Sequence, residues 1–312
     1  MFCIVAFITL AILGIFSASY RGLAKEALDC VLRRVTLRPC TTGFDEKIKS
    51  RILGSVINRS ETAARLLNKN FEFLSWVFFL LMLTSSLFAV RGMYLFYVTG
   101  SCSGLNQTSF CLFDPKGENN QLSAVSESCQ ATPTTLADLT LKGVNLAGFP
   151  ALNEGGKGRI VLIGCYGCSY TRKTYPTIRK LARETDAVLT FIDYPVKVRT
   201  TLMARLGQCV YQGDHARYWK LNDILFAADV DRLDNMAFAQ KVTAQLGLDW
   251  GEMDRCLNDP ATEDLVSRQM DEVSKTRFFG TPTVFINSQA FVGPKPYRVY
   301  AISMNGLLYW IK

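Results

Sequence analysis

The chain has 312 residues, enough for one or two domains with a sizeable core, and a formal net charge of +8. A charge of that size implies a nucleic-acid or anionic-membrane partner only where it is concentrated, so its location decides. One histidine, a single C-x-x-C and no Cys/His pair weigh against zinc, and scattered remaining cysteines weigh against an iron–sulfur cluster.

Residues 1–20 carry no charged side chain. As one helix they would cross about 30 Å of hydrocarbon, and they are read as a first transmembrane helix. A cleavable signal peptide competes, with Ser17-Ala18-Ser19 as its small-residue site, but no Lys or Arg precedes the apolar run. Residues 21–72 read as a cytoplasmic basic loop, because eleven Lys/Arg against six Asp/Glu lie between 20 and 73. Anionic headgroups explain such a loop. A second transmembrane helix is predicted over 73–98: Phe73 to Val90 is free of charge, and Tyr94, Phe96 and Tyr97 follow as an interfacial belt. Everything after Val98 then lies outside. From 101 onward 23 basic residues face 21 acidic ones, so the excess sits in the loop and nucleic acid is not required. Residues 99–156 read as a polar extracytoplasmic connector, with an edge strand at Leu139–Leu146.

From 157 to 312 strands alternate with helices. Gly158–Gly164 reads as a buried strand, Cys165-Tyr166-Gly167-Cys168 follows it, and a helix over Tyr166–Thr185 should kink at Pro176. Free N–H groups and the positive end of a helix dipole at that junction favour a thiolate. The second cysteine, one turn on, is placed to attack a mixed disulfide formed by the first. Taken alone, the spacing also fits half a zinc site or two core cysteines. Ala187–Tyr194 is the next strand, and apolar periodicity then predicts helices near 199–212, 215–228, 233–246, 250–258 and 261–276. His215, in a polar turn, reads as a surface or capping residue. The turn Gly280-Thr281-Pro282 opens a strand over Thr283–Asn287, and X–Pro bonds in tight turns are where cis peptides occur. A strand near Ala290–Val292 and a helix near Pro296–Ile311 complete an α/β arrangement.

With C-Y-G-C after one strand, G-T-P-T before another and a helical block between them, residues 155–311 resemble the DsbA-like thiol–disulfide oxidoreductases of the thioredoxin superfamily. The resemblance implies a thioredoxin-like fold with a helical insertion over about 199–276. It implies Cys165 as nucleophile, Cys168 as resolving cysteine and Pro282 as a cis-proline lying against them. Thr281, Tyr166 and Gly167 would contact substrate. Two departures stand out. Tyr166-Gly167 lacks the histidine that helps stabilise the thiolate in strongly oxidising relatives. Arg159 stands six residues before Cys165, where relatives often carry a carboxylate; it is read as solvated, leaving water, Glu154 or Asp193 to move the resolving thiol's proton.

Seven of the ten cysteines lie in the exported part, as an oxidising compartment permits. Cys102 with Cys111 could staple a short loop, and Cys209 with Cys256 could join two helices, as a second structural pair does in some relatives. Cys129 is left over. Cys3 stands alone in the first span, and Cys30 and Cys40 read as plain thiols facing the cytosol.

The expected function is that of a membrane-tethered, extracytoplasmic protein thiol–disulfide oxidoreductase acting on cysteine-containing exported proteins. Neither span carries a redox pair, so a separate membrane redox partner must recycle it. The bilayer is a further partner; no nucleic acid, metal or cofactor is expected. A reading from another class is a membrane-anchored binding or assembly protein with a thioredoxin-like fold and a static C-Y-G-C disulfide.

Overall fold

The computed structural model of the chain describes residues 2–36, 49, 50, 54, 57, 61–124, 138–195 and 200–310, so the readings of Cys40 and Cys129 lie outside the described residues. Two compact units divide the chain, Met1–Arg91 and Gly92–Lys312.

In the first unit, α1 (Phe2–Phe16) is followed by α2 (Ala18–Val35), and Phe7 and Leu10 pack with Leu23, Ala27 and Cys30 along the seam. The first apolar run is therefore not one continuous span. Ser17 leaves the helix, and Arg21 Nε donates to the Gly14 carbonyl at 2.8 Å, so the first charge of the chain caps α1. A helix of 15 residues falls short of the roughly 20 a bilayer requires. Cys30, expected as a plain thiol, is fully buried in this seam and disulfide-bonded, a bond the cytosol assigned to this loop would not maintain. After α3 (Glu61–Lys69) comes α4 (Phe71–Thr99), which spans 29 residues with none buried. Among the described residues it is the one helix long and apolar enough to cross a membrane.

The second unit is built on a five-stranded sheet. Its strands are β2 (Ala151–Leu152), β3 (Arg159–Gly164), β4 (Val188–Asp193), β6 (Thr283–Ile286) and β7 (Gln289–Val292), in the spatial order β2-β4-β3-β6-β7. β3 and β4 run parallel, and the other pairs are antiparallel. The parallel pair requires a crossover, which α5 (Ser169–Thr185) supplies. Every β3 residue after Arg159 is buried, as a central strand covered on both faces demands. Ile160 and Leu162 join the larger core with Ile178, Leu181 and Phe191, while Val161 and Ile163 pack with Phe149, Phe278 and Phe285 on the opposite face. Arg159 is exposed.

Between β4 and β5 (Gly280–Thr281) lie α6 (Thr201–Gly213), α7 (His215–Ala227), α8 (Met236–Gln245), α9 (Trp250–Leu257) and α10 (Pro260–Ser274). Asp214, Asn235, Asp249 and Asp259 cap the last four of these by accepting backbone N–H bonds. A disulfide joins Cys209 of α6 to Cys256 of α9. A second disulfide closes the Cys102–Cys111 loop ahead of the sheet. His215 opens α7 and stacks on Tyr211 at 3.9 Å. After β7, α11 (Tyr297–Asn305) closes the unit, and Arg298 donates to the carbonyls of Phe96 and Tyr97 in the last turn of α4.

One expected element is absent. Leu139–Leu146 is not a strand but a run of turns, because β2 already takes the free edge of β4. Leu139, Leu141 and Leu146 instead cover the Phe278 face of the sheet. A strand forms where only polar connector was expected: β1 (Ser123–Ala124) pairs antiparallel with β5.

Candidate active site

The site forms where β3 ends and α5 begins. Gly164 allows the two to approach, since a side chain there would run into Thr171 and the Phe191 ring. The chain then turns tightly, with the Cys168 amide donating to the Cys165 carbonyl at 3.0 Å. The expected helix start at Tyr166 moves to Ser169, and Cys168 becomes the N-cap residue. The positive end of the helix therefore lies at Cys168.

Thr281-Pro282 is a cis peptide, brought to the site by the antiparallel pairing of β6 with β3. The cysteine it meets is Cys168: its thiol donates to the Thr281 carbonyl at 3.4 Å. Ser123 Oγ lies 3.1 Å from the same sulfur. Burial pulls the Cys168 thiol up, but hydrogen bonds from Ser123 and from the hydroxyl and amide of Thr171 outweigh it and hold the thiol below its ordinary value. Cys165 sits differently. Its Sγ lies 3.4 Å from Thr200 Oγ1, and its amide donates to Thr171 Oγ1 at 3.4 Å. Neither cysteine is disulfide-bonded, and both are 0% exposed. The cis-proline turn thus lies against the cysteine pair, as the resemblance implies, with Cys168 in hydrogen-bond contact with Thr281.

Tyr166 and Gly167, expected to contact substrate, are set into the core beside the cysteines. Both are buried, and the Tyr166 ring packs on Phe191 and Phe226 while its hydroxyl donates to Asn222 Oδ1 at 2.7 Å. Asp193, at the end of β4 beside Gly164, keeps its two carboxyl oxygens buried without a hydrogen-bond partner of good geometry. Burial pushes its carboxyl well above the usual range, partly offset by the Tyr166 amide.

Three contributors escaped the sequence reading. Thr171 stands three residues after Cys168, the spacing of the cysteine pair itself, and that was the signal available. Arg172 clamps the turn: Nε donates to the Tyr166 carbonyl at 2.6 Å, and the guanidinium reaches the carbonyls of Leu225, Phe226 and Ala228. Ser123 arrives from a distant connector with no periodicity to announce it.

Residues 170–303 match the family model of the DSBA-like thioredoxin domain. The chain carries a DsbA-like thioredoxin-fold domain. The matched stretch holds Thr171, the helical insertion, Thr281 and Pro282, and begins just after Cys168. Among solved structures, the thiol-disulfide exchange protein alpha-DsbA2 of Wolbachia pipientis aligns at 19% identity and a TM-score of 0.47, over 52% of this chain and 88% of that one. A thioredoxin-like oxidoreductase from Silicibacter pomeroyi aligns at 18% and 0.46, over 51% and 91%. BdbD from Bacillus subtilis aligns at 19% and 0.42, over 50% and 89%. No curated protein matches the chain. Within the DsbA-like domain, no group of three or more His, Cys, Asp or Glu among the described residues is placed to hold a metal ion.

Proposed function

We propose that the chain is a membrane-tethered protein thiol–disulfide oxidoreductase, with Cys165 as attacking thiol, Cys168 as resolving thiol and Thr281-Pro282 as the positioning backbone. What supports this reading is one juxtaposition: a cysteine pair at a helix start, one sulfur of which lies 3.4 Å from the carbonyl that precedes a cis-proline. The Cys165 thiolate attacks one sulfur of a substrate disulfide. A new S–S bond forms, the substrate S–S bond breaks, and the leaving thiolate takes up a proton. Cys168, deprotonated, then attacks Cys165 Sγ, releases the second substrate thiol and leaves the pair oxidised. Run backwards, the same steps oxidise a substrate dithiol, and the relative potentials set the direction.

Substrates in this reading are cysteine-containing exported proteins, and a separate membrane redox partner exchanges two electrons with the pair. The α4 helix is the tether. The DsbA-like domain lies on the extracytoplasmic side, where disulfides such as Cys102–Cys111 and Cys209–Cys256 persist.

Complete burial of both cysteines favours a second reading, a membrane-anchored binding or assembly protein whose C-Y-G-C pair is inert. Trapping separates the two. With Cys168→Ala, mixed disulfides through Cys165 should accumulate on non-reducing gels, and with Cys165→Ala none should. Complexes seen only with Cys165→Ala would move the attacking role to Cys168. None from either variant would support the binding protein.

A further inference from the structure

Two stretches far apart in sequence leave large apolar side chains in the open. Phe110 is 80% exposed and Leu112 76%, on either side of the buried Cys111 that closes the Cys102–Cys111 loop. Leu308 and Trp310, in the turns that follow α11, are 58% and 53% exposed. Both stretches lack charge: no Asp, Glu, Lys or Arg stands from Met93 to Phe113, and none from Val299 to Trp310. Asp114, next along the chain, turns its carboxylate onto the amides of Glu118 and Asn119. Exposed apolar side chains gathered in one place mark an interaction surface.

The last turn of α4 is what gathers them. The Phe113 ring stacks on Phe96 at 5.2 Å, and the Trp310 ring meets Tyr97 edge-on at 6.2 Å. Arg298 fastens the arrangement, since the guanidinium that donates to the Phe96 and Tyr97 carbonyls also lies over both rings, 5.0 and 5.9 Å from their centroids. The result is a collar of aromatic rings, leucines and one cation around the end of an apolar helix, the composition favoured where hydrocarbon meets water. A helix that leaves the hydrocarbon at Tyr97 also brings whatever packs on Tyr97 to headgroup depth.

We propose that this collar is a lipid-docking surface. Phe110, Leu112, Leu308 and Trp310 enter the headgroup region of the bilayer that α4 crosses and hold the DsbA-like domain against the membrane. The inference rests on the reading of α4 as the tether. Continuity with that helix selects lipid over a protein as the occupant. Weak insertion suffices, because a domain already tethered makes the second contact intramolecularly. The Cys102–Cys111 disulfide presents Phe110 and Leu112 on a short closed loop, which limits the entropy lost when they insert.

The test uses the full chain in phosphatidylcholine nanodiscs, with Trp76→Phe removing the tryptophan inside α4. Lipids brominated near the headgroup end of the acyl chains should quench tryptophan emission more than lipids brominated near the chain ends, and Trp310→Phe should abolish the difference. Phe110→Asp combined with Leu112→Asp should roughly halve the quenching of Trp310 or reduce it further, because insertion strength scales with the apolar area buried. Both replaced side chains are largely exposed, so the core is spared. Quenching that the double variant leaves unchanged would overturn docking. Trp310 unquenched in pure lipid would overturn it as well and give the surface to a protein partner. If alkaline carbonate strips the full chain from membranes, the reading of α4 as the tether falls instead.

Discussion

The end of β3 and the start of α5 each present a cysteine, and their surroundings differ in kind. Cys165 follows a strand; its sulfur meets the Thr200 hydroxyl and its amide the Thr171 hydroxyl. Cys168 caps a helix and meets the Thr281 carbonyl, Ser123 Oγ and the hydroxyl and amide of Thr171. Both are equally buried, so burial does not separate them. Against burial, Ser123 and Thr171 hold the Cys168 thiol below its ordinary value by hydrogen bonding to the sulfur, whereas Cys165 interacts electrostatically with the Arg172 guanidinium.

The most severe way to break that contrast is Cys165→Ala, which should reduce disulfide exchange to the uncatalysed rate. Cys168→Ala should leave the first attack intact, as a stopped-flow reaction with a disulfide reagent would show. Next in size comes Arg172→Met. It strips hydrogen bonds from four buried or half-buried carbonyls at once and should destabilise the DsbA-like domain by about 2–4 kcal/mol in urea unfolding.

Asp193 sharpens the comparison from the strand side. Its folded carboxyl holds its proton well above the pH at which the unfolded chain releases it. Stability is therefore complete below the ordinary carboxylate range and falls as pH rises above it, by at most about 1.4 kcal/mol per pH unit, until the folded group itself ionises. Asp193→Asn should flatten that slope, leaving acid stability unchanged and raising stability at neutral pH in urea titrations. The smallest effect is expected of Thr171→Val. It removes one hydroxyl from the Cys168 sulfur and should slow alkylation several-fold at pH 6, with no change above pH 9 where the thiol is ionised anyway.

Much of the site was legible because its parts are local. The apolar run Ile160–Gly164, the cysteines after it, the Gly-Thr-Pro turn and five amphipathic helices between them each carry a short-range signature. Three things were not legible. A helix start can move by a turn without changing apolar periodicity, and here it made Cys168 the N-cap residue. Tyr166 was read as a substrate contact from the family resemblance, and the burial of its ring in an aromatic cluster with Phe191 and Phe226 left no local signature. The first twenty uncharged residues looked like one span, but Arg21 turned back to cap α1 and α2 packed along it.

Amino-acid order alone determined that a redox-type cysteine pair follows a buried strand, that a proline turn begins another, and that one long apolar helix lies ahead of the domain. Only the tertiary structure decided which sulfur meets the cis-proline and what lies over it. Those outcomes depend on pairings between residues 113 and 158 positions apart, Cys168 with Thr281 and Ser123 with Thr281. Contacts at that separation leave no periodicity in the chain. They arise when a buried sheet fixes its edges and the remaining backbone donors and acceptors take the partners that are left.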